Sequence, residues 1–136
     1  MVKIHRCKFF ESMPSAVNTL EYCPVVKIMA LARENGTIEL WKHSTDHKQW
    51  HMSSSIEGGS NVSVECLAWS KGRLFSAGSF GVISEWDPIT LELVKRTDVY
   101  SGAINAMVAT EDNRLICGSD NGSFSIFNID PMSKNL

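Results

Sequence analysis

The sequence predicts an all-β chain built from repeats of one four-stranded unit, amounting to about three blades of an incomplete β-propeller. Three observations point there. Gly36, Gly81 and Gly122 lie 45 and 41 residues apart. A large aromatic residue follows each glycine by five positions: Trp41, Trp86 and Phe127. Short apolar segments recur at matching offsets before each glycine, and turn residues cut them off before a helical period can develop.

The spacing is the period of WD repeats, about 40–45 residues with four strands per blade. Upstream, Val17, Val64 and Ile104 align, then Leu20, Leu67 and Met107, then Tyr22, Trp69 and Ala109. Inner strands are therefore expected around 17–22, 64–69 and 104–109. Second strands fall at 28–32, 74–77 and 115–118, and third strands at 37–41, 82–86 and 123–127. Asn35-Gly36 and Asn121-Gly122 are hairpin signals, because both residue types tolerate positive φ in a two-residue turn. Outer strands are expected at about 47–52 and 91–96, with little room for a third before Leu136. The blade units are thus 17–52, 64–96 and 104–130. Residues 1–16 form an N-terminal segment that reads as a closing strand. In many propellers such a segment becomes the outer strand of the last blade.

Composition supports a folded domain. Hydrophobic residues make up 43% and charged residues 21%, enough apolar material for a packed core. The formal net charge of −2 gives no global sign of nucleic-acid or membrane binding. No apolar run approaches the roughly 20 residues of a membrane helix, and the charged start lacks a signal peptide's apolar stretch, so an intracellular, membrane-free protein is expected. Cys7, Cys23, Cys66 and Cys117 are scattered without a CxxC pair, the pattern of reduced thiols.

Gly81-Val82-Ile83-Ser84-Glu85-Trp86-Asp87 carries the best repeat ending, and Trp41-Lys42 and Phe127-Asn128 are degenerate versions of it. Asn35, Phe80 and Asn121 occupy the place where strong WD repeats hold a tetrad aspartate, so packing is expected to dominate. Longer runs carry a closer resemblance. His5-Arg6-Cys7-Lys8-Phe9-Phe10 with Pro14-Ser15, Ala32 to Glu39, Cys66-Leu67-Ala68-Trp69 and Arg73 to Gly78 are similar to the N-terminal portion of the cirhin family, from residue 3 to 130. That resemblance implies a nucleolar, non-catalytic scaffold of the small-subunit processome, acting in pre-ribosomal RNA transcription and processing. It implies partners among other WD-repeat and helical-repeat subunits, with pre-ribosomal RNA nearby. Members of the family carry two complete propellers, and a ring needs at least four blades, usually about seven, to close. The chain therefore reads as a fragment, a truncated isoform or a shortened gene model.

Candidate sites are few. Lys3, Arg6 and Lys8 form the one basic cluster and are the candidate contacts to RNA or a partner; the structural alternative is the closing strand itself. His43, His47 and His51 recur every four residues, but on a strand that interval spans roughly 13 Å, too far for one metal ion. Three N-glycosylation sequons, at Asn35, Asn61 and Asn121, lack a secretory context. No phosphate-binding, metalloprotease or nucleophile-elbow motif is present. Gly58-Gly59-Ser60 precedes a strand, not the helix N-terminus that a phosphate cradle needs. Hence no enzyme activity, cofactor or small-molecule substrate is expected. The alternative function is a substrate receptor of a cullin ubiquitin ligase, but its Trp-Asp-x-Arg ending is missing from both Trp86-Asp87-Pro88-Ile89 and Trp41-Lys42-His43-Ser44.

The repeat markers Gly36, Trp41, Gly81, Trp86, Asp87, Gly122 and Phe127 are structural. Leu20, Leu67, Met107, Ile38, Ile83 and Phe124 are expected to lie buried between adjacent blades.

Overall fold

In the computed structural model the described residues are Val2, 15–46 and 48–131. They form three antiparallel sheets in sequence. The first holds β1 (Val17–Cys23), β2 (Ile28–Arg33), β3 (Ile38–Ser44) and β4 (Gln49–Ile56). The second holds β5 (Cys66–Ser70), β6 (Arg73–Ala77), β7 (Val82–Trp86) and β8 (Leu93–Asp98). The third holds β9 (Ile104–Ala109), β10 (Arg114–Ser119) and β11 (Phe124–Asn128). Each sheet runs in sequence order, and the inner strands pack side by side, β1 on β5 and β5 on β9. Sheets arrayed about their first strands are the blades of a propeller. Among the described residues no helix is long and apolar enough to cross a membrane.

Side-chain alternation explains the stacking. In the middle sheet β6 is buried at Leu74, Phe75, Ser76 and Ala77 in succession, because both of its faces are covered. Leu74 joins Leu67, Ile38, Leu40, Ala30 and Ile56 in the core between the first and second sheets. Phe75 and Ala77 join Ile83, Ile104, Leu115 and Cys117 between the second and third.

Leu67, Ile38 and Ile83 are buried as expected, and Met107 packs on the second core. Leu20 and Phe124 are corrections: they are 53% and 71% exposed. The register is not at fault. Leu20 pairs with Leu31, on the face opposite Ala30 and Ala32, and so points away from the second sheet. Phe124 sits opposite Gly118 on the outer face of the third sheet. No described blade covers either face.

The turns at 34–36, 79–81 and 120–122 are also built differently from a two-residue hairpin with both residues at positive φ. Only the glycines take positive φ, +86° at Gly36, +68° at Gly81 and +87° at Gly122. The Gly36 N–H donates to the Arg33 carbonyl (3.0 Å). Asn35 instead uses its side chain, whose Oδ1 accepts from the Thr37 N–H at 3.0 Å; Asn121 does the same for Ser123. The side-chain bond replaces the strain of a non-glycine residue in the left-handed region. β4 runs to Ile56, beyond the expected 52, because Ile56 pairs with Ile38 and closes the core. Ser53 sits at the bulge opposite Leu40 and Trp41, and its hydroxyl donates to the Leu40 carbonyl (3.0 Å).

Candidate interaction surfaces

Lys3, Arg6 and Lys8 lie outside the described residues, as does most of the 1–16 segment. His47 lies outside them too. His43 faces Trp50 across β3 and β4, with ring centroids 5.4 Å apart. His51 pairs with Lys42 and therefore lies on the opposite face of that sheet from His43. The two histidines do not converge.

The repeat markers serve the fold. Trp86 donates its indole N–H to the Ser76 hydroxyl oxygen (2.8 Å). The Asp87 carboxylate accepts from the backbone N–H groups of Ile89 (2.8 Å) and Thr90 (3.1 Å), fixing the β7–β8 turn. Trp41 is buried and donates to Glu39 Oε1 (3.0 Å). Phe127 packs against the second core.

Sequence reasoning missed two part-buried ion pairs. Arg33 grips Glu39 through Nε (3.1 Å) and Nη2 (3.2 Å). Arg73 grips Glu85 through Nε and Nη2, both at 2.8 Å. These charge-assisted forks brace second strand against third. The Glu85 hydrogen bond raises the Arg73 pKa above its ordinary value against the opposing effect of burial. Arg73 Nη1 also reaches the Asp130 carbonyl at the end of the third blade. The pairs escape the repeat frame because Glu39 stands three residues after its glycine and Glu85 four.

Cys23, Cys66 and Cys117 are buried free thiols; Cys7 lies outside the described residues. Burial pushes the Cys66 thiol up to about 12, with Cys117 and Glu65 adding to the effect, and pushes Cys117 up to about 11.

Surface character differs between the two ends of the blades. The segments 34–37, 57–65, 78–81, 98–103 and 120–123 share one end. They contain Glu34, Glu57, Glu65, Asp98 and Asp120 and no lysine or arginine. Their backbones are closely packed: a Cβ on Gly58 would stand 2.4 Å from the Asn35 carbonyl oxygen. The turns at the other end carry both signs, with Lys27, Lys48 and Lys71 beside Asp46, Asp87, Glu92, Glu111 and Asp112. Near the acidic end a cavity of about 130 Å³ opens between the first two blades, lined by Ile56, Val62, Val82, Trp86, Ser84 and Arg96 among others. The open sheet faces are apolar: Leu20 and Tyr22 on the first, and Val108, Phe124 and Ile126 on the third.

The described fold matches solved structures, among them one of WD40 repeats. It superposes on the WD40 repeats of RRP9 with a TM-score of 0.72, at 17% identity, covering 88% of this chain and 37% of that one. The computationally designed Ika8 protein gives 0.68 at 24% identity, with coverage of 88% and 35%. The three sheets are therefore part of a WD-repeat β-propeller. No protein-family model matches the chain. Its sequence is 33% identical over 131 residues to the human U3 small nucleolar RNA-associated protein 4 homolog, covering 95% of this chain and 19% of that protein. It is 31% identical over 141 residues to U3 small nucleolar RNA-associated protein 4 of Saccharomyces cerevisiae, covering 93% and 18%. The chain belongs to this family, and it spans about a fifth of the length of these relatives.

Proposed function

We propose that the chain is a non-catalytic scaffold element for protein assembly in small ribosomal subunit biogenesis, working in the nucleolus. The observation that carries this reading is the identity to U3 small nucleolar RNA-associated protein 4 across nearly the whole chain. The structure is compatible with it, since the described surface offers sheet faces and interblade clefts suited to polypeptide partners. The partners would be WD-repeat and helical-repeat subunits of a pre-ribosomal complex. Contact with pre-ribosomal RNA would be indirect or made through Lys3, Arg6 and Lys8, because the loops at one end of the blades are acidic and repel a polyanion. The 1–16 segment would close a blade as its outer strand.

Affinity purification of the tagged chain from cells tests this. Recovery of pre-ribosomal RNA and its associated proteins is expected. Recovery of a cullin adaptor without pre-ribosomal RNA would overturn the reading in favour of a ubiquitin-ligase receptor.

A further inference from the structure

The cavity between the first two blades has a polar floor inside apolar walls. Ser76, Ser84 and Arg96 form one cross-strand row over β6, β7 and β8, since Ser76 pairs with Ser84 and Ser84 with Arg96. All three line the cavity, so this row faces the first blade. Ser84 is only 9% exposed, yet its hydroxyl bonds no described group. No buried side-chain oxygen or nitrogen among the described residues lacks a partner, so the Ser84 hydroxyl is open to the cavity and available to whatever enters it. Ser76 accepts the Trp86 indole N–H, which leaves its own proton free to donate. The Arg96 guanidinium makes no ion pair with any described residue. The floor thus offers two hydroxyl donors and one unpaired cation. The walls are Ile56, Val62, Val64, Phe80, Val82 and Trp86.

We propose that this cleft receives one carboxylate side chain, a glutamate, from a partner polypeptide whose flanking residues are basic. Arg96 holds the carboxylate in a charge-assisted pair, Ser84 and Ser76 donate to it, and the apolar walls cover its methylene stem. The rim selects the flanks. Glu57 lines the same cavity, and the loops at this end carry Glu34, Glu65, Asp98 and Asp120 with no lysine or arginine. A continuous polyanion such as RNA meets repulsion there, whereas one acid among lysines finds complementarity at both levels. The proposal rests on the chain being a binding module and names what one surface binds.

The test uses the 136-residue chain and a labelled peptide, acetyl-Lys-Lys-Val-Glu-Val-Lys-Lys-amide, read by fluorescence anisotropy and by the NMR signal of the Trp86 indole N–H. Binding that shifts this signal is expected. Arg96→Gln, and separately Ser84→Ala, should weaken it by about tenfold or more, as should a glutamine in place of the peptide's glutamate. Lys71→Gln, at the opposite end, should leave it unchanged. Arg96 is exposed, so its replacement spares the fold; unaltered tryptophan emission checks this. Absence of binding, equal binding by Arg96→Gln, equal binding of the glutamine peptide, or displacement of the peptide by single-stranded uridine RNA would each overturn the proposal. None of these results depends on whether the tagged chain recovers pre-ribosomal RNA.

Discussion

Leu67 and Leu20 hold the same place in successive repeats, and the structure gives them opposite environments. Leu67 is 2% exposed in the core between the first two sheets, and Leu20 is 53% exposed on the open face of the first. Truncation to alanine removes the equivalent of three methylene groups, worth about 0.8 kcal/mol each when buried. For Leu67 that transfer loss is about 2 kcal/mol, and the cavity left among Ile38, Leu40 and Leu74 raises the cost to about 3–4 kcal/mol. For Leu20 half the area is already in water and no closed cavity forms, so the expected cost is about 1 kcal/mol. Urea unfolding followed by tryptophan fluorescence measures both, provided the slope m is unchanged between variants. Equal losses, or a larger loss for Leu20→Ala, would refute the reasoning. Either would mean that the first sheet's outer face is covered, or that β1 is shifted by one residue, which exchanges its two faces.

The Glu85→Gln variant strands Arg73 and should destabilise the chain by about 1–3 kcal/mol in the same assay, less than for a fully dry pair because Arg73 retains some solvent; no change would show the fork to be ornamental. Cys66 and Cys117 should resist alkylation in the folded chain and react fully once it is unfolded, with no disulfide recovered by mass spectrometry. Their folded pKa values are raised, so the stability they contribute is complete below about 9, their ordinary value, and is lost as pH climbs toward 11 and 12. Gel filtration should show the 136-residue chain associating through its apolar open faces, with Phe124→Ser plus Ile126→Ser reducing the effect and a chain of the relatives' length running as a discrete species. A chain that elutes as a monodisperse monomer would contradict this.

The blade pattern was legible because it rests on spacing. Glycine, the aromatic five residues later and alternating apolar positions locate β2, β3, β6, β7, β10 and β11 without any knowledge of contacts. What escaped depends on contacts between strands. Leu20 and Phe124 follow the repeat frame faithfully, but burial belongs to a pair of blades, and the frame describes only one. The serines before Ile56 carry no strand signal, so the end of β4 is set by its pairing with Ile38. The Arg33–Glu39 and Arg73–Glu85 pairs join residues at unequal offsets, which a periodic search averages away. Ser84 looks like any polar residue in a strand until β6 and β8 place Ser76 and Arg96 beside it.

The burial of β6 on both faces has a consequence for how the chain comes apart. Removing the first sheet uncovers Leu74 and Ser76, and removing the third uncovers Phe75 and Ala77, so neither departure alone frees the strand. Local opening in a stacked array starts where neighbours are fewest. β4 and β11, the outer strands of the first and third sheets and each paired on one side only, are therefore the first to fray, while the amide protons of β6 wait for the loss of both flanking sheets. In time rather than space, the middle of the sequence is the last part of the molecule to meet water.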